Sequence, residues 1–375
     1  MSAAIRTLCL LLSSLVLCGF PELETIYFLI TSLDPLCCVV FTVSSYLYVK
    51  RKTNQLKPRI SGLNLAHKSM AEQFHFEAPK FIDIGFTDLN KYGEFWRLKH
   101  KNFSFCAAQG MRSYMEDRMH YMFDPNHTLS IFGIFDGHGG QFVSEYLEKN
   151  FAQSIRKRMI QGETRRRLSN TSTISNDDRV VEMLFTEICR LDDRICDIDP
   201  KSTWNTGSTL IAAMLEGNRF LSVMNVGDSR AVACDEFGRT FPLSKDHKPC
   251  DKVERRRIES AGGFIYKDEG ETYRVQGILA VSRAIGDLAL KRLGVITCHP
   301  DVVRIDLQTK PLRFLIVATD GFWDVITDKE AVDLANKYLK SHAPSDWHRI
   351  SIHLVQAALN RRTQDNVSVL FIKLK

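Results

Sequence analysis

The chain has 375 residues, of which 44% are hydrophobic and 25% are charged, and its formal net charge is +6. This balance supplies enough apolar residues for a large buried core, and it excludes disordered, collagen-like and disulfide-scaffold proteins. Of the 50 Lys and Arg residues, all but Arg6 lie between residues 50 and 375. An apolar N-terminal segment therefore precedes a polar, globular body.

Residues 1–49 carry two apolar stretches, 8–20 and 26–49. The first is shorter than the roughly 20 residues that a bilayer span needs, and Asp34-Pro35 interrupts the second. The basic residues 50–52 follow at once, which is typical of the cytosolic side of a membrane segment. We therefore expect residues 1–49 to be a hydrophobic membrane anchor of one or two segments in contact with a lipid bilayer.

Three arrangements of this anchor remain open: a cleaved signal peptide, a single span or a hairpin that dips into the bilayer. Each leaves the body in the cytosol as long as the second stretch stays in the membrane. A buried helical pair in a soluble domain is the alternative, and the basic residues after it argue against that. The short spans favour the thinner endoplasmic reticulum membrane over the plasma membrane. Residues 50–95 are interpreted as a polar tether, and residues 96–375 as the globular domain.

Strands and helices alternate irregularly along the body. Short Ile-, Val- and Phe-rich runs predict strands at 130–135, 209–215, 220–225, 231–234, 314–318 and 367–372. Helical spacing of apolar residues predicts helices at 142–160, 180–195, 253–261, 330–339 and 350–359. The basic and Ser/Thr-rich segment 156–178 is interpreted as an exposed loop. Predicted strands outnumber helices, and the regular βαβ alternation of a Rossmann fold is absent. The predicted class is therefore α+β, a β-sandwich with helices outside.

Several kinds of site are not indicated. The ten cysteines show no CxxC spacing, which agrees with a reducing compartment and gives no support to zinc. No motif for nucleic acid, dinucleotide or P-loop binding occurs.

Acidic residues stand at the ends of predicted strands. Asp136 and Asp320 follow strands, Asp365 precedes one, and Glu116-Asp117 lies in a turn. A lone carboxylate at such a place is most often a turn or cap residue. Strand ends of one sandwich can converge, however, and a cluster of carboxylates needs cations to offset its repulsion. Oxygen ligands of this kind suit Mg²⁺ or Mn²⁺.

The run DGHGG at 136–140 is more specific. Its glycines allow the backbone to approach a ligand closely, so that a main-chain carbonyl can reach a metal. His138 beside a metal-binding Asp can transfer a proton near neutral pH, although a lone histidine is more often structural.

Eight ordered motifs carry a resemblance to a known family. They are RSYMEDR at 112–118, FDGHGG at 135–140, TGST at 206–209, NVGDSR at 225–230, DHKP at 246–249, LAVSRAIGD at 279–287, ATDGFWD at 318–324 and DN at 365–366. In this order they resemble the metal-dependent type 2C serine/threonine protein phosphatases, over roughly residues 100–375. An apolar N-terminus before such a domain is similar to a membrane-anchored member of that family.

The resemblance implies a four-layer α/β/β/α sandwich of two antiparallel sheets with a two-metal centre of Mg²⁺ or Mn²⁺ at one edge. It implies that Asp136 bridges the two metals, that Asp320 and Asp365 complete the first site, and that the Gly137 carbonyl binds the second metal.

Further acidic residues take outer positions by the same resemblance. Glu116 and Asp117 would hold waters of the second metal. Asp228 and Asp324 would surround a weaker third metal.

The resemblance also implies the reaction. Arg112 would clamp the phosphate of a phosphoserine or phosphothreonine, a metal-bridging hydroxide would attack, and His138 would be the general acid. The planar guanidinium suits two phosphate oxygens, and an alkoxide leaving group needs a proton. The partners implied are phosphoprotein substrates, with stress-activated kinase cascades as the candidates, and a monomeric catalytic domain.

One departure from the family pattern concerns the substrate. Tyr273 stands where the family usually has Trp, in the flap segment 265–273, so that substrate preference is open. Two other functions also remain open. One is a catalytically silent membrane scaffold, and the other is a serine hydrolase that uses Ser229 of the sequence GDSRA.

Overall fold

The computed structural model describes residues 89–90, 93–168, 176–267 and 272–374. The predicted membrane anchor at 1–49 and nearly all of the predicted tether lie outside these residues. Within the described ranges, no helix combines the length and the apolar character of a membrane span.

Two antiparallel sheets form the interior of the described body. The seven-stranded sheet has the order β1 (Leu89–Asn90), β2 (Gly93–Lys99), β3 (Phe103–Ala108), β17 (Val367–Lys373), β16 (Leu312–Ala318), β10 (Arg230–Asp235) and β11 (Thr240–Pro242). The five-stranded sheet has the order β15 (Asp301–Asp306), β9 (Phe220–Val226), β8 (Leu210–Glu216), β5 (Leu129–Phe135) and β4 (Arg118–Asp124).

The two sheets face each other across an apolar core. Phe103, Leu370 and Leu315 from the seven-stranded sheet and Phe132 and Val223 from the five-stranded sheet belong to one buried cluster. The opposite faces of both sheets are covered as well, so every residue of β3 and β5 is buried. Strands buried on both faces are apolar along their whole length, which explains why these runs do not alternate between apolar and polar residues.

Two helical layers cover the sheets. α1 (Phe142–Leu168) and α2 (Asn176–Ile198) pack on the five-stranded sheet. On the seven-stranded sheet lie α6 (Asp328–Ser341), α7 (Ile350–Asn360) and the 3₁₀ helix Pro344–Arg349 between them. The predicted α+β sandwich with four layers, α/β/β/α, is therefore confirmed for the described body.

One prediction about this layer is wrong. Where the structure describes the segment 156–178, it is helical and not a loop: α1 continues to Leu168, α2 begins at Asn176, and residues 169–175 lie outside the described part. Arginine is a good helix former, and two arginines of this segment, Arg156 and Arg158, have acidic partners on neighbouring elements. Arg156 Nε lies 2.5 Å from Asp124 Oδ2, and Arg158 Nε lies 3.2 Å from Glu187 Oε2.

Short elements near one edge of the sandwich complete the described fold. They are β6 (Gly137–His138), β7 (Gly207–Ser208), α3 (Lys252–Ser260), β12 (Ile265–Lys267), β13 (Tyr273–Val275), β14 (Ile285–Gly286), α4 (Leu288–Arg292) and α5 (Asp320–Trp323). β14, β7 and β6 form a small three-stranded sheet in that order, and β12 and β13 form a hairpin. Residues of β6, β13, α4 and α5 line a cleft at this edge.

Candidate active site

The ends of three long strands bring the predicted acidic residues to one cleft. Asp136 directly follows β5, Asp320 begins α5 just after β16, and Asp365 lies two residues before β17. The cleft has a volume of about 770 Å³. Nine of the ten predicted site residues line it: Arg112, Glu116, Asp136, Gly137, His138, Asp228, Asp320, Asp324 and Asp365.

The surroundings of Asp136 and Asp320 disfavour the ionised form of both side chains. Burial raises the pKa of both carboxyls well above the usual range, and neighbouring carboxylates raise it further. Asp228 and Asp365 act on both groups, and Lys248 partly offsets the effect at Asp320. Nearby positive charge would stabilise the ionised form of carboxylates gathered in this way.

Asp117 lies beneath the cleft and is fully buried. Its Oδ2 accepts hydrogen bonds from Ser368 Oγ at 2.7 Å and from Thr319 Oγ1 at 3.2 Å. Burial is the largest reason why its pKa rises to about 7, and the charge of Asp365 adds to the rise. Its Oδ1 is buried and has no hydrogen-bond partner. A buried acceptor without a partner is costly, so this oxygen is available to a water or to a cation.

The backbone at Gly137 approaches the Glu116 turn very closely. A Cβ at Gly137 would lie 2.7 Å from Ser144 Oγ and 2.8 Å from the Glu116 carbonyl oxygen. Ser144 Oγ donates to that same carbonyl at 2.7 Å, and Asn366 Oδ1 accepts from Glu116 N–H at 2.9 Å. Only glycine therefore fits at 137, with Glu116 held beside it.

Two cations lie among these carboxylates. Arg112 Nη2 is 2.6 Å from Asp365 Oδ2, while Lys248 Nζ is 2.9 Å from Asp228 Oδ2 and 3.8 Å from Asp324 Oδ1. Across the described part of the chain, no three His, Cys, Asp or Glu side chains already stand at metal-binding spacing. The residues nonetheless fit hard divalent cations, which prefer oxygen ligands. All of the donors are oxygens, the carboxyls of Asp136 and Asp320 have raised pKa values, and Oδ1 of Asp117 has no hydrogen-bond partner.

His138 is paired with an acidic residue that the sequence reasoning did not assign. His138 Nε2 lies 2.7 Å from Asp287 Oδ2. Burial disfavours the imidazolium, but Asp287, Glu116 and Asp228 outweigh it, and the pKa of His138 is raised. A Cβ at Gly207 would lie 2.1 Å from Asp287 Oδ2, so glycine there makes room for the pair.

Asp287 and Lys248 are thus the functional candidates that sequence reasoning missed. Both stand in motifs singled out above, LAVSRAIGD and DHKP. Their side-chain partners lie 149 and 20 residues away along the chain, so the motifs alone could not identify those partners.

Ser229 is in a different environment from that of a nucleophile. Its side chain is fully buried, and its Oγ shares a hydrogen bond of 2.8 Å with Thr209 Oγ1. The nearby His247 uses Nδ1 to accept the Gly227 N–H at 3.0 Å. The observed geometry therefore does not favour the serine hydrolase interpretation.

The flap lies at the rim of the cleft. Tyr273 and Arg274 of β13 line it together with Ile278, which is 65% exposed. Lys267 Nζ of β12 lies 5.6 Å from the ring centre of Tyr273. The aromatic residue that departs from the family pattern thus lines the cleft.

Comparisons with known proteins agree on one family. The protein phosphatase 2C family model matches residues 101–367. Protein phosphatase 1L of Bos taurus is 32% identical over 343 residues, which are 91% of this chain and 90% of that protein. A probable protein phosphatase 2C 55 of Oryza sativa subsp. japonica is 36% identical over 72% of this chain and 65% of its own length.

Solved structures extend this likeness to the fold. A serine-threonine phosphatase 2C from Toxoplasma gondii superposes with a TM-score of 0.61 at 23% identity, covering 74% of this chain and 97% of that one. A sex-determining protein of C. elegans gives a TM-score of 0.62 at 24% identity, over 74% of this chain and 66% of that one.

Proposed function

This chain belongs to the protein phosphatase 2C family of serine/threonine protein phosphatases, and we propose that the carboxylate cleft is its active site. The observation that carries the proposal is the convergence of Asp136, Asp320 and Asp365 at one edge of the sandwich beside Asp117, whose Oδ1 lacks a partner. Metal dependence is general in this family.

We propose that two Mg²⁺ or Mn²⁺ ions are held here. Asp136 would serve both ions, Asp320 and Asp365 one of them, and the Gly137 carbonyl the other. When bound, such ions generate a nucleophile from water at neutral pH and neutralise the charge of the phosphate. The buried Asp117 and Glu116 would orient the solvent ligands of the second ion, and Asp228 and Asp324 would form a weaker third site.

Arg112 would bind the phosphate group. Its side chain is 46% exposed at the mouth of the cleft and already contacts Asp365 Oδ2 at 2.6 Å. Two oxygens of a phosphate, like the two oxygens of a carboxylate, can accept parallel hydrogen bonds from the guanidinium group. The contact between Arg112 and Asp365 would therefore give way when Asp365 holds a metal and Arg112 holds the phosphate.

His138 would protonate the leaving group. The alkoxide of serine or threonine is a poor leaving group and needs a proton in the transition state. Asp287 holds Nε2, so Nδ1 would deliver the proton to the substrate oxygen. Asp287 would also favour the charged imidazolium that carries this proton.

The test of the metal assignment is Asp320→Asn in the full chain, assayed with Mn²⁺ on a phosphothreonine peptide. We expect a loss larger than the roughly 10–100-fold that follows when an outer partner of a metal ligand is removed. Asp306→Asn, at the end of β15 in a surface pair with Arg219, is the matched control and should keep full activity. Full activity of Asp320→Asn would contradict the assignment.

The general-acid role has its own test. His138→Gln should lower turnover of a phosphothreonine peptide by about 10²-fold or more, because general acids contribute about that much. An aryl phosphate, whose leaving group needs no proton, should lose far less. Equal losses on the two substrates would exclude the role.

The same assays address the other functions. A catalytically silent scaffold would show no Mn²⁺-dependent phosphate release from the unmodified chain. A serine hydrolase would retain activity in chelator and lose it in Ser229→Ala.

We further propose that residues 1–49 anchor the catalytic domain to the cytosolic face of a membrane, the endoplasmic reticulum in preference to the plasma membrane. The basis is the apolar composition of residues 8–20 and 26–49 and the basic residues that follow. The substrates would be phosphoproteins near that face, with members of stress-activated kinase cascades as candidates. Extraction of the full chain by alkaline carbonate would contradict anchoring, and co-localisation with plasma-membrane markers would reassign the membrane.

A further inference from the structure

Asp192 is a buried carboxylate outside the cluster that lines the cleft. It lies on α2, in the outer helical layer, and is 3% exposed. Helix α2 contributes apolar residues such as Leu191 and Ile195 to the packing on the five-stranded sheet. A buried acid in such surroundings needs hydrogen-bond partners. Besides Cys196 Sγ on the same helix, at 3.9 Å from Oδ1, Asp192 has two partners among the described residues, and both lie at the active-site edge.

The first partner is the backbone of β14. The Gly286 N–H donates to Asp192 Oδ1 at 2.8 Å. β14 is an edge strand of the small sheet, in which Gly286 pairs with Gly207 and Gly207 pairs with His138. Asp192 therefore accepts the hydrogen bond of the Gly286 N–H, which points away from the small sheet. Through Gly207, this strand is connected to the strand that carries His138.

The second partner is Lys291 on α4, whose Nζ donates to the same oxygen, Oδ1 of Asp192. The Lys291 N–H also donates to the Asp287 carbonyl at 3.0 Å. Asp192 is thus bonded to the residue before Asp287 and to the helical turn after it. Asp287 itself has a left-handed backbone with φ of +51°, which surrounding contacts must maintain.

We propose that Asp192 is a positioning residue that holds Asp287 against His138. The proposal rests on the function proposed above, in which His138 donates a proton. Asp192 takes no part in proton transfer, and it acts through two bonds that hold the segment 286–291 in place. Without it, Asp287 Oδ2 would no longer be held at 2.7 Å from His138 Nε2.

The test compares Asp192→Ala with Glu187→Ala in the full chain. Glu187 is also a buried acid on α2, but its partners are the arginines Arg158, Arg190 and Arg194. We expect Asp192→Ala to lower kcat on a phosphothreonine peptide by at least about tenfold, since a misplacement of 1 Å can cost 10²-fold. KM and turnover of an aryl phosphate should change little. Glu187→Ala should affect both substrates equally.

A readout independent of activity is the NMR signal of the His138 ring nitrogens in chain labelled with ¹⁵N-histidine, assigned by His138→Gln. Asp192→Ala should shift the Nε2 signal in the direction seen with Asp287→Asn. Asp192→Asn keeps an oxygen that can accept the Gly286 N–H, so it should retain most activity and nearly the original signal. If the alanine variant does not fold, Lys291→Met, which removes the second contact of Asp192, replaces it and should shift the Nε2 signal in the same direction; an unchanged signal would contradict the positioning role.

The outcomes separate the two proposals. If His138→Gln discriminates between the substrates but Asp192→Ala does not, and the His138 signal is unchanged, the positioning role is wrong and the proposed function stands. If His138→Gln affects both substrates equally while Asp192→Ala shifts the His138 signal, the proton donor is wrong and the positioning role stands.

Discussion

The two helical layers differ in how they are attached to the body. The α6–α7 layer packs on the seven-stranded sheet mainly through apolar side chains, such as Val332, Leu354 and Phe371. The α1–α2 layer also has an apolar interface, but polar contacts connect it to the active-site edge. Ser144 bonds the Glu116 carbonyl, and Asp192 bonds β14.

This difference separates stability from activity. Apolar contacts are non-directional, so we expect a loosened α6–α7 layer to cost stability more than to displace a particular catalytic atom. Hydrogen bonds are directional, so a broken contact in the α1–α2 layer displaces the backbone that it holds. Substitutions in the two layers test this contrast, and their expected effects differ in size.

The largest effect is expected at Arg118, which is fully buried beside the Glu116-Asp117 turn. It donates to the carbonyls of Met115 and Asp117 and to Gln141 and Glu145 at the start of the α1 layer. Arg118→Met should lower the free energy of unfolding by about 3 kcal/mol. This is the low end of the range for breaking a buried ion pair, because the partner Glu145 is partly exposed. It should also raise the Mn²⁺ concentration needed for half-maximal activity.

The control for this prediction is Arg361→Met in the α6–α7 layer. Arg361 pairs with Glu330 at 2.9 Å, and both side chains are partly exposed. Exposed ion pairs contribute little to the free energy of unfolding. The urea midpoint of Arg361→Met should therefore fall only slightly, and the Mn²⁺ concentration needed for half-maximal activity should not change. If both arginine variants change Mn²⁺ dependence alike, the contrast between the layers fails.

A matched pair of leucines tests the apolar contacts. Leu354 of α7 and Leu191 of α2 are both completely buried. Each change to Ala should lower the free energy of unfolding by about 3 kcal/mol, within the range for buried Leu→Ala. Only Leu191→Ala should also slow phosphopeptide turnover, because it adjoins Asp192. Urea unfolding and turnover well below the transition temperature measure the two effects, and slowed turnover in Leu354→Ala would count against the contrast.

A smaller effect is expected at Ser144, which is buried in α1 and donates to the Glu116 carbonyl at 2.7 Å. Ser144→Ala removes one hydrogen bond with almost no change in volume, so stability should fall by about 1 kcal/mol. Phosphopeptide kcat/KM should fall several-fold, because Glu116 is no longer held beside Gly137. Ser351→Ala, a buried serine of α7, should leave kcat/KM unchanged.

The smallest effect concerns the start of α6. Bonds from Arg361, and then from Thr327 at the helix N-cap, lower the pKa of Glu330 to about 2. This folded value is below the unfolded value of about 4.3, so Glu330 stabilises the fold above pH 4.3 and loses that effect as pH falls towards 2. Glu330→Gln should lower the urea midpoint at pH 7 but much less at pH 3, with activity at pH 7 unchanged. An equal difference at both pH values would show that the carboxylate charge is not responsible.

The sequence was most informative where local pattern and tertiary environment agree. The predicted strand 367–372 and helix 350–359 match β17 and α7 to within one residue at each end. The long strands β2, β3, β4 and β15 were missed. β3 has the sequence FSFCAA, in which small residues interrupt the apolar run, and the other three carry residues such as Arg118, His120 and Arg304 that weaken the apolar signal. In the fold, these polar groups find partners from other elements, as Arg304 does with Asp177 and Glu216.

The residues of the candidate site also fall into two groups, those that the sequence pattern indicated and those that it did not. Strand-end carboxylates and the glycine run in DGHGG were recognisable because hard-metal ligands and close backbone approach require those residue types. The partners of these residues were not recognisable. Asp287 meets His138 across 149 positions of the chain, and Asp192 meets Gly286 across 94.

The sequence by itself therefore determined the family, the fold class and the acidic residues of the cleft, since motifs and apolar periodicity are local properties of the chain. Only the tertiary structure decided which cation faces which carboxylate, that Ser229 is buried, and that residues 156–168 and 176–178 are helical. Those features depend on hydrogen bonds and burial between segments that are distant along the chain, and such contacts form only after the sheets and helices have packed.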